Sequence, residues 1–397
     1  MMREAAIGAL TASAGLFLYA YAGYPLLLRL LESLGVGQGE PVDASPERWP
    51  TVSVSLPAYN EEAVIGDALD NLLALEYPKE RLQILVVSDG STDRTDEIVR
   101  SYADRGVELL RVENRGGKTA AENAAVPHLD GEIVLNTDAT SRPRSDALKA
   151  LVRAFEDPEV GVASGRDVSV GSSGDAVEGE SGYVGYEMRV RDLETRTGGI
   201  VGSSGCLYAI RRDLHREPVP EELSRDFISA LNARERGYRA VSVPDALVEV
   251  PRAHSLREEY RRKVRTMARG LDSLWYKRSL LNPLRWRSFA WKLASHKLAR
   301  WLVPLSAVPA LLGLVYLSST GGALWRVTLA AGGAGAATGA AALVWPQRIS
   351  VPRPVAVCGY LLVAMAAGVE AWMRAVLQGG ASTWEPTRRE GGSAEAA

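Results

Sequence analysis

The chain has almost no cysteine and almost no histidine. Cys206 and Cys358 are the two cysteines among 397 residues, far apart and outside any CxxC or Cys/His pattern. That excludes a disulfide scaffold and leaves no structural zinc motif. Four histidines, His128, His215, His254 and His296, leave little for a histidine-based metal centre. Two phosphate-binding signatures are missing as well. No GxGxxG follows the first strand-like run and no GxxxxGK[ST] occurs, which disfavours an NAD enzyme and a P-loop ATPase. The net charge of −2 is too small to point to a partner.

Long apolar runs, in contrast, stand at both ends. Residues 5–28 are uncharged, about 24 residues, enough to cross ~30 Å of hydrocarbon as a helix. Ala20-Tyr21-Ala22 resembles a signal-peptidase site, but the apolar run continues to Leu31, so an uncleaved anchor over 5–31 is the expectation. Residues 301–325 lie uncharged between Arg300 and Arg326. The 327–346 run is rich in Gly and Ala, as closely packed membrane helices often are, and 355–369 precedes Glu370 and Arg374. About three helices are thus expected over 301–377, followed by a polar tail over 378–397.

Charge sets the expected orientation. Over 257–300 there are 13 Lys/Arg against Glu258, Glu259 and Asp272, a net of +10, and Arg348 and Arg353 separate the last two runs. By the positive-inside rule the polar middle and that short loop face the cytoplasm, giving a multi-pass protein of the cell (inner or plasma) membrane. Arg388 and Arg389 pull the tail to the same side, against an odd number of crossings. Residues 252–300 read as basic amphipathic helices at the lipid interface, with membrane lipids as partners.

The middle, 50–251, alternates strand-like and helix-like segments. Runs at 51–56, 83–87, 107–112 and 132–135 are β-rich and nearly continuous in apolar residues. Between them, 62–75, 93–102 and 118–125 have helical spacing, with Ser91, Thr92 and Asp93 as cap candidates. Such βαβ alternation predicts an α/β domain with a parallel sheet covered on both faces. In such sheets ligands bind beyond the carboxyl ends of the strands. Three polar segments fall at those ends: Pro57-Ala58-Tyr59-Asn60-Glu61-Glu62, Ser88-Asp89-Gly90-Ser91 and Asn136-Thr137-Asp138-Ala139-Thr140.

Taken in order with Gly116-Gly117-Lys118, these segments resemble the nucleotide-sugar half of family-2 glycosyltransferases of the GT-A fold. Gly202-Ser203-Ser204-Gly205-Cys206, Arg225-Asp226-Phe227 and Arg262-Lys263-Val264-Arg265 are similar to the acceptor half of membrane-embedded members such as cellulose and hyaluronan synthases. The resemblance covers about 52–269. It implies a GT-A, Rossmann-like nucleotide-diphospho-sugar domain with flanking transmembrane helices. Pro57, Ala58, Tyr59 and Glu61 match the loop that holds base and ribose, Asp89 the aspartate on the nucleoside, and Lys118 a basic residue near the nucleotide. Asp138 matches the first aspartate of the D-x-D motif that holds Mg2+ or Mn2+, with Thr140 in place of the second carboxylate. Asp226 matches the general base, preceded here by Arg225; Glu221 and Glu222 are the runners-up. Arg262 and Arg265 match the Q-x-x-R-W segment, with Thr266 where the tryptophan stands, and helical spacing places them with Arg269 on one face as a clamp for the leaving diphosphate. Cys206 reads as a small packed residue, not a nucleophile.

The implied activity is transfer of a sugar, with inversion, from a nucleoside-diphosphate donor, UDP-linked by first expectation. The acceptor is a growing polysaccharide or a lipid-linked sugar, and no nucleic acid is involved. Three alternatives stand beside it. They are a single transfer to a lipid phosphate, a sugar-nucleotide sensor whose altered D-A-T and R-D-F motifs no longer support chemistry, and a transporter without chemistry. Against the last speaks the small number of spans and of charges within them.

Overall fold

The computed structural model describes residues 1–37, 46–170, 178–251, 255–345 and 350–377. The tail expected over 378–397, with Arg388 and Arg389, and Arg348 lie outside these residues. The described residues form two compact units: those within Met1–Leu34, Gly171–Tyr183 and Ala253–Ala381, and those within Gly35–Val170 and Val184–Arg252. Residues 178–183 thus group with the first unit, although the sequence places them inside one continuous middle domain.

The second unit is built on eight strands: β1 (Val52–Ala58), β2 (Leu82–Asp89), β3 (Val107–Val112), β4 (Ile133–Thr137), β5 (Arg142–Pro143), β6 (Val160–Val170), β7 (Leu207–Arg211) and β8 (Arg239–Pro251). They form one sheet in the order β3-β2-β1-β4-β7-β6-β8-β5. The first four pair in parallel, as the apolar runs predict. β7, however, enters antiparallel between β4 and β6, and β5 pairs antiparallel with β8. The expected parallel sheet is therefore corrected to a mixed one. Apolarity reports burial on two faces, and a buried antiparallel strand such as Leu207–Arg211 carries the same signature as a parallel one.

Every residue of β1 is buried. Alternate side chains feed two cores. One gathers Val54, Leu56, Ile84 and Val86 under the helices Ile65–Leu73 and Ala147–Arg153; the other gathers Leu85, Val87, Val134 and Tyr208 under Lys118–Ala125 and Arg225–Glu235. Each fully buried Val or Leu contributes about 1.5–3 kcal/mol, so the sheet is a stiff platform for whatever sits on its edge.

The first unit is helical. Three of its helical stretches, Met2–Ser33, Ser288–Thr320 and Arg353–Leu377, are long and apolar enough to cross a membrane. Ala323–Leu343 also forms a helix, but its many Gly, Ala and Thr residues and Arg326 leave it outside that group among the described residues. Small residues let the helices touch: a Cβ on Gly339 would lie 2.7 Å from the Cys358 carbonyl oxygen, and one on Gly359 would lie 2.6 Å from Ala342 Cβ. The Leu256–Tyr276 helix starts at an N-cap in which Ser255 Oγ accepts the Glu258 N–H.

Candidate active site

The loops at the carboxyl ends of β1 and β2 bind each other. Asn60 adopts φ +52°, a left-handed conformation that asparagine tolerates, and its Oδ1 accepts the Thr92 N–H at 2.8 Å. The Glu61 N–H donates to Thr95 Oγ1 at 2.8 Å and the Glu62 N–H to Asp93 Oδ2 at 3.1 Å. Asp93 in turn accepts the Thr95 N–H, starting the Thr95–Arg100 helix. Two segments 31–34 residues apart in sequence are thereby fastened into one rim. Pro57 and Ala58 lie buried inside β1, opposite Val87 and Ser88. The two residues expected to contact base and ribose thus form the end of this strand: pairing with β4 ends at Ser55, so the missing Pro57 N–H breaks no ladder bond there. Tyr59 and Glu61 are the partly open residues, and the Arg115 guanidinium stacks 3.9 Å from the centre of the Tyr59 ring.

Asp89 is 1% exposed at the end of β2. Its Oδ1 accepts the Gly116 N–H at 2.8 Å and its Oδ2 accepts the Gly117 N–H at 2.7 Å. Gly117 sits at φ +92°, which favours glycine. Asp89 therefore holds the glycine turn that launches Lys118. Asp89→Ala leaves those two donors without their acceptor and is expected to destabilise the protein by roughly 1–3 kcal/mol, read from denaturant melts of the detergent-solubilised chain.

Lys118 opens its helix, and its Nζ donates to Asp138 Oδ1 at 2.5 Å and to the Gly205 carbonyl at 3.0 Å. Burial alone would lower its pKa, but Asp138, Glu122 and Asp226 more than offset this and hold the ammonium above its ordinary range. Asp138 follows β4 at the start of a turn closed by the Ser141 N–H on its carbonyl. Asp226 lies in the first turn of Arg225–Glu235; its Oδ1 accepts from Ser224 Oγ at 2.7 Å, and Ser203 Oγ donates to its carbonyl. A Cβ on Gly205 would stand 3.2 Å from Asp226 Oδ2 and 3.9 Å from Lys118 Nζ. Gly205 thus keeps open the space in which Lys118, Asp138 and Asp226 converge.

Arg225 turns away from that space. Its guanidinium donates to Asn123 Oδ1 and, at 2.6 Å, to the His215 carbonyl. His215 is buried against Asn136, and burial together with Arg225 holds its pKa well below the ordinary value. Glu221 and Glu222 are exposed, and Cys206 packs partly buried against the core. Arg262 and Arg265 belong to the other unit. There the Arg262 guanidinium is held by Glu259 at 2.8 Å and by Glu180 at 2.5 Å, both carboxylates being buried.

The donors available to a divalent cation are few. Among the described residues no group of three or more His, Cys, Asp or Glu side chains could hold one. Asp138, 31% exposed, supplies one carboxylate, and Thr140 supplies a hydroxyl two residues on. That set fits Mg2+ or Mn2+ only where diphosphate oxygens and water complete the shell, which is how such ions are commonly bound to nucleotides.

Two residues of this arrangement have no role expected from the sequence, although Glu122 lies within the Gly116–Asn123 motif. Arg115 caps the tyrosine of the first loop, and Glu122 lies buried one helical turn beyond Lys118; its i, i+4 spacing from Lys118 is the one signal the sequence held.

A mixed sheet of this order, with a rim of loops and an acid–lysine–acid cluster at its carboxyl edge, is the GT-A glycosyltransferase fold. The mannosyltransferase of Pyrobaculum calidifontis, solved with GDP-Man and Mn2+, has the same fold: TM-score 0.71 at 23% identity, over 95% of this chain and 99% of that one. Residues 53–217 match Glycosyl transferase family 2. Among curated relatives, an N-acetylglucosaminyltransferase of Rhizobium meliloti is 27% identical over 77% of this chain and 76% of its own length. A beta-monoglucosyldiacylglycerol synthase of a Nostoc species is 30% identical over 48% of this chain and 43% of its own length. The chain spans less than half the length of the first two curated relatives it matches.

Proposed function

We propose that the protein is a membrane-bound inverting glycosyltransferase that moves a sugar from a nucleoside-diphosphate donor, UDP-linked by first expectation, to a growing polysaccharide or a lipid-linked acceptor. One observation carries the reading: Lys118, Asp138 and Asp226 meet around Gly205 at the carboxyl edge of the sheet. Asp226 takes the proton of the acceptor hydroxyl. That oxygen bonds to the anomeric carbon on the face opposite the diphosphate, and the bond from that carbon to the phosphate oxygen breaks. Lys118 lies where negative charge grows on the departing diphosphate. Asp138 would hold a divalent cation, which supplies further charge compensation to the leaving group. Tyr59 and Glu61 line the nucleoside end.

Three apolar helices and the +10 stretch over 257–300 support a catalytic unit on the cytoplasmic side, where nucleotide sugars are made. The test is a panel of labelled nucleotide sugars, including UDP-N-acetylglucosamine and GDP-mannose, offered to sealed inside-out membrane vesicles and to intact cells. Labelled polymer or labelled lipid from the vesicles alone is the expected result and names the acceptor class. Label incorporated by intact cells overturns the orientation. No product from any donor, with nucleotide still bound, leaves the sensor alternative standing.

A further inference from the structure

Glu122 has no role of its own in the transfer described above, beyond its pull on the Lys118 ammonium. It is 1% exposed, on the Lys118–Ala125 helix one turn after Lys118, and its Oε2 has no hydrogen-bond partner. A buried carboxyl oxygen without a partner is costly, and the helix core around it is otherwise small and apolar, with Ala121 and Ala125. The charged and titratable groups that face it are few. They are Lys118 on its own helix, Arg225 and Asp226 on the helix opposite, Asp138 after β4, and Tyr208 on β7. His215, under Arg225, is neutral.

We propose that Glu122 is a positioning residue of the donor site, a buried carboxyl whose protonation sets the net charge that an arriving nucleoside diphosphate meets. The proposal rests on the donor-site reading above.

The argument is one of charge balance. Lys118 and Arg225 contribute two positive charges, Asp138 and Asp226 two negative ones. With Glu122 neutral the cluster is balanced. With Glu122 ionised it carries one net negative charge in a buried setting, before a dianionic diphosphate enters beside Lys118. Burial pushes the Glu122 carboxyl up to about 7; Lys118 and Arg225 pull against this, while Asp226 and Asp138 add to the rise. The donor-competent form is the protonated one. Affinity for a nucleoside diphosphate therefore falls as pH rises through neutrality, because binding must restore the proton. Tyr208, whose buried hydroxyl is held above its ordinary range, stays neutral throughout and adds no charge.

The experiment is calorimetric titration of the full chain in detergent with UDP and with GDP, in Mg2+, from pH 6.5 to 8.5. For the nucleotide that binds, the dissociation constant of the wild-type protein is expected to rise by about tenfold across that range. Glu122→Gln keeps the shape of the side chain and cannot ionise, so its constant is expected to stay flat and close to the wild-type value at pH 6.5. Glu122→Met serves the same purpose if the Gln variant does not fold. A purely structural role for Glu122 would change stability and leave the slope with pH in place. A flat wild-type profile, or an unchanged slope in the uncharged variants, overturns the proposal while the donor site stands. Absence of binding by both nucleotides at every pH overturns the donor-site reading and this proposal with it.

Discussion

Asp226→Asn is expected to slow sugar transfer by roughly 10²–10⁴-fold, the usual worth of general-base catalysis. Asparagine keeps the shape of the side chain and can still accept from Ser224 Oγ, so the start of the Arg225–Glu235 helix is retained. What is lost is an acceptor for the hydroxyl proton, and that interaction matters in the transition state. Donor affinity should accordingly stay within about twofold, since binding relies on the Asp89-supported turn, Lys118 and the Tyr59 loop. Calorimetry for binding and radiolabel for product, on one preparation, give both numbers. If binding and transfer fall together, Asp226 serves the fold. If transfer is untouched, the base is elsewhere, with the exposed Glu221 and Glu222 next in line.

Asp138→Asn should lower transfer by about two orders of magnitude or more, because charge compensation at the diphosphate is worth several kcal/mol. Lys118 retains its bond to the Gly205 carbonyl in this variant, so the glycine turn stays in place. Excess chelator should bring the wild-type protein to the same low level, and Mg2+ or Mn2+ should restore it. Chelator should then have little further effect on Asp138→Asn, since both treatments remove one contribution. Full wild-type activity in chelator would sink the cation assignment and leave Lys118 as the charge that replaces it.

The sequence made much of the site legible, for a local reason. Asp89, Lys118 and Asp138 each stand at the end of a strand or the start of a helix, and such positions follow from apolar runs and turn residues nearby. Pro57 and Ala58 were less legible. The resemblance matches them to the loop, and the structure has them in the last pairs of β1 with β2, a register that only the partner strand defines. Arg262 shows the same limit: helical spacing assigns it to a face, whereas its carboxylate partner Glu180 is 82 residues away.

By itself, then, the sequence determined the element pattern, the apolar helices at the two ends and the polar strand ends that carry Asp89 and Asp138, because burial periodicity and strand-end chemistry are local properties. Lys118 and Asp226 were singled out by the resemblance to family-2 glycosyltransferases. The tertiary structure alone decided that β7 runs antiparallel, that Asp89 holds the glycine turn, and that Arg225 turns to Asn123 and the His215 carbonyl. It alone also brought the buried Glu122 within electrostatic reach of Arg225, Asp226 and Asp138. Each of these depends on contacts between segments distant in sequence, where hydrogen-bond direction and charge are settled only once the sheet has assembled.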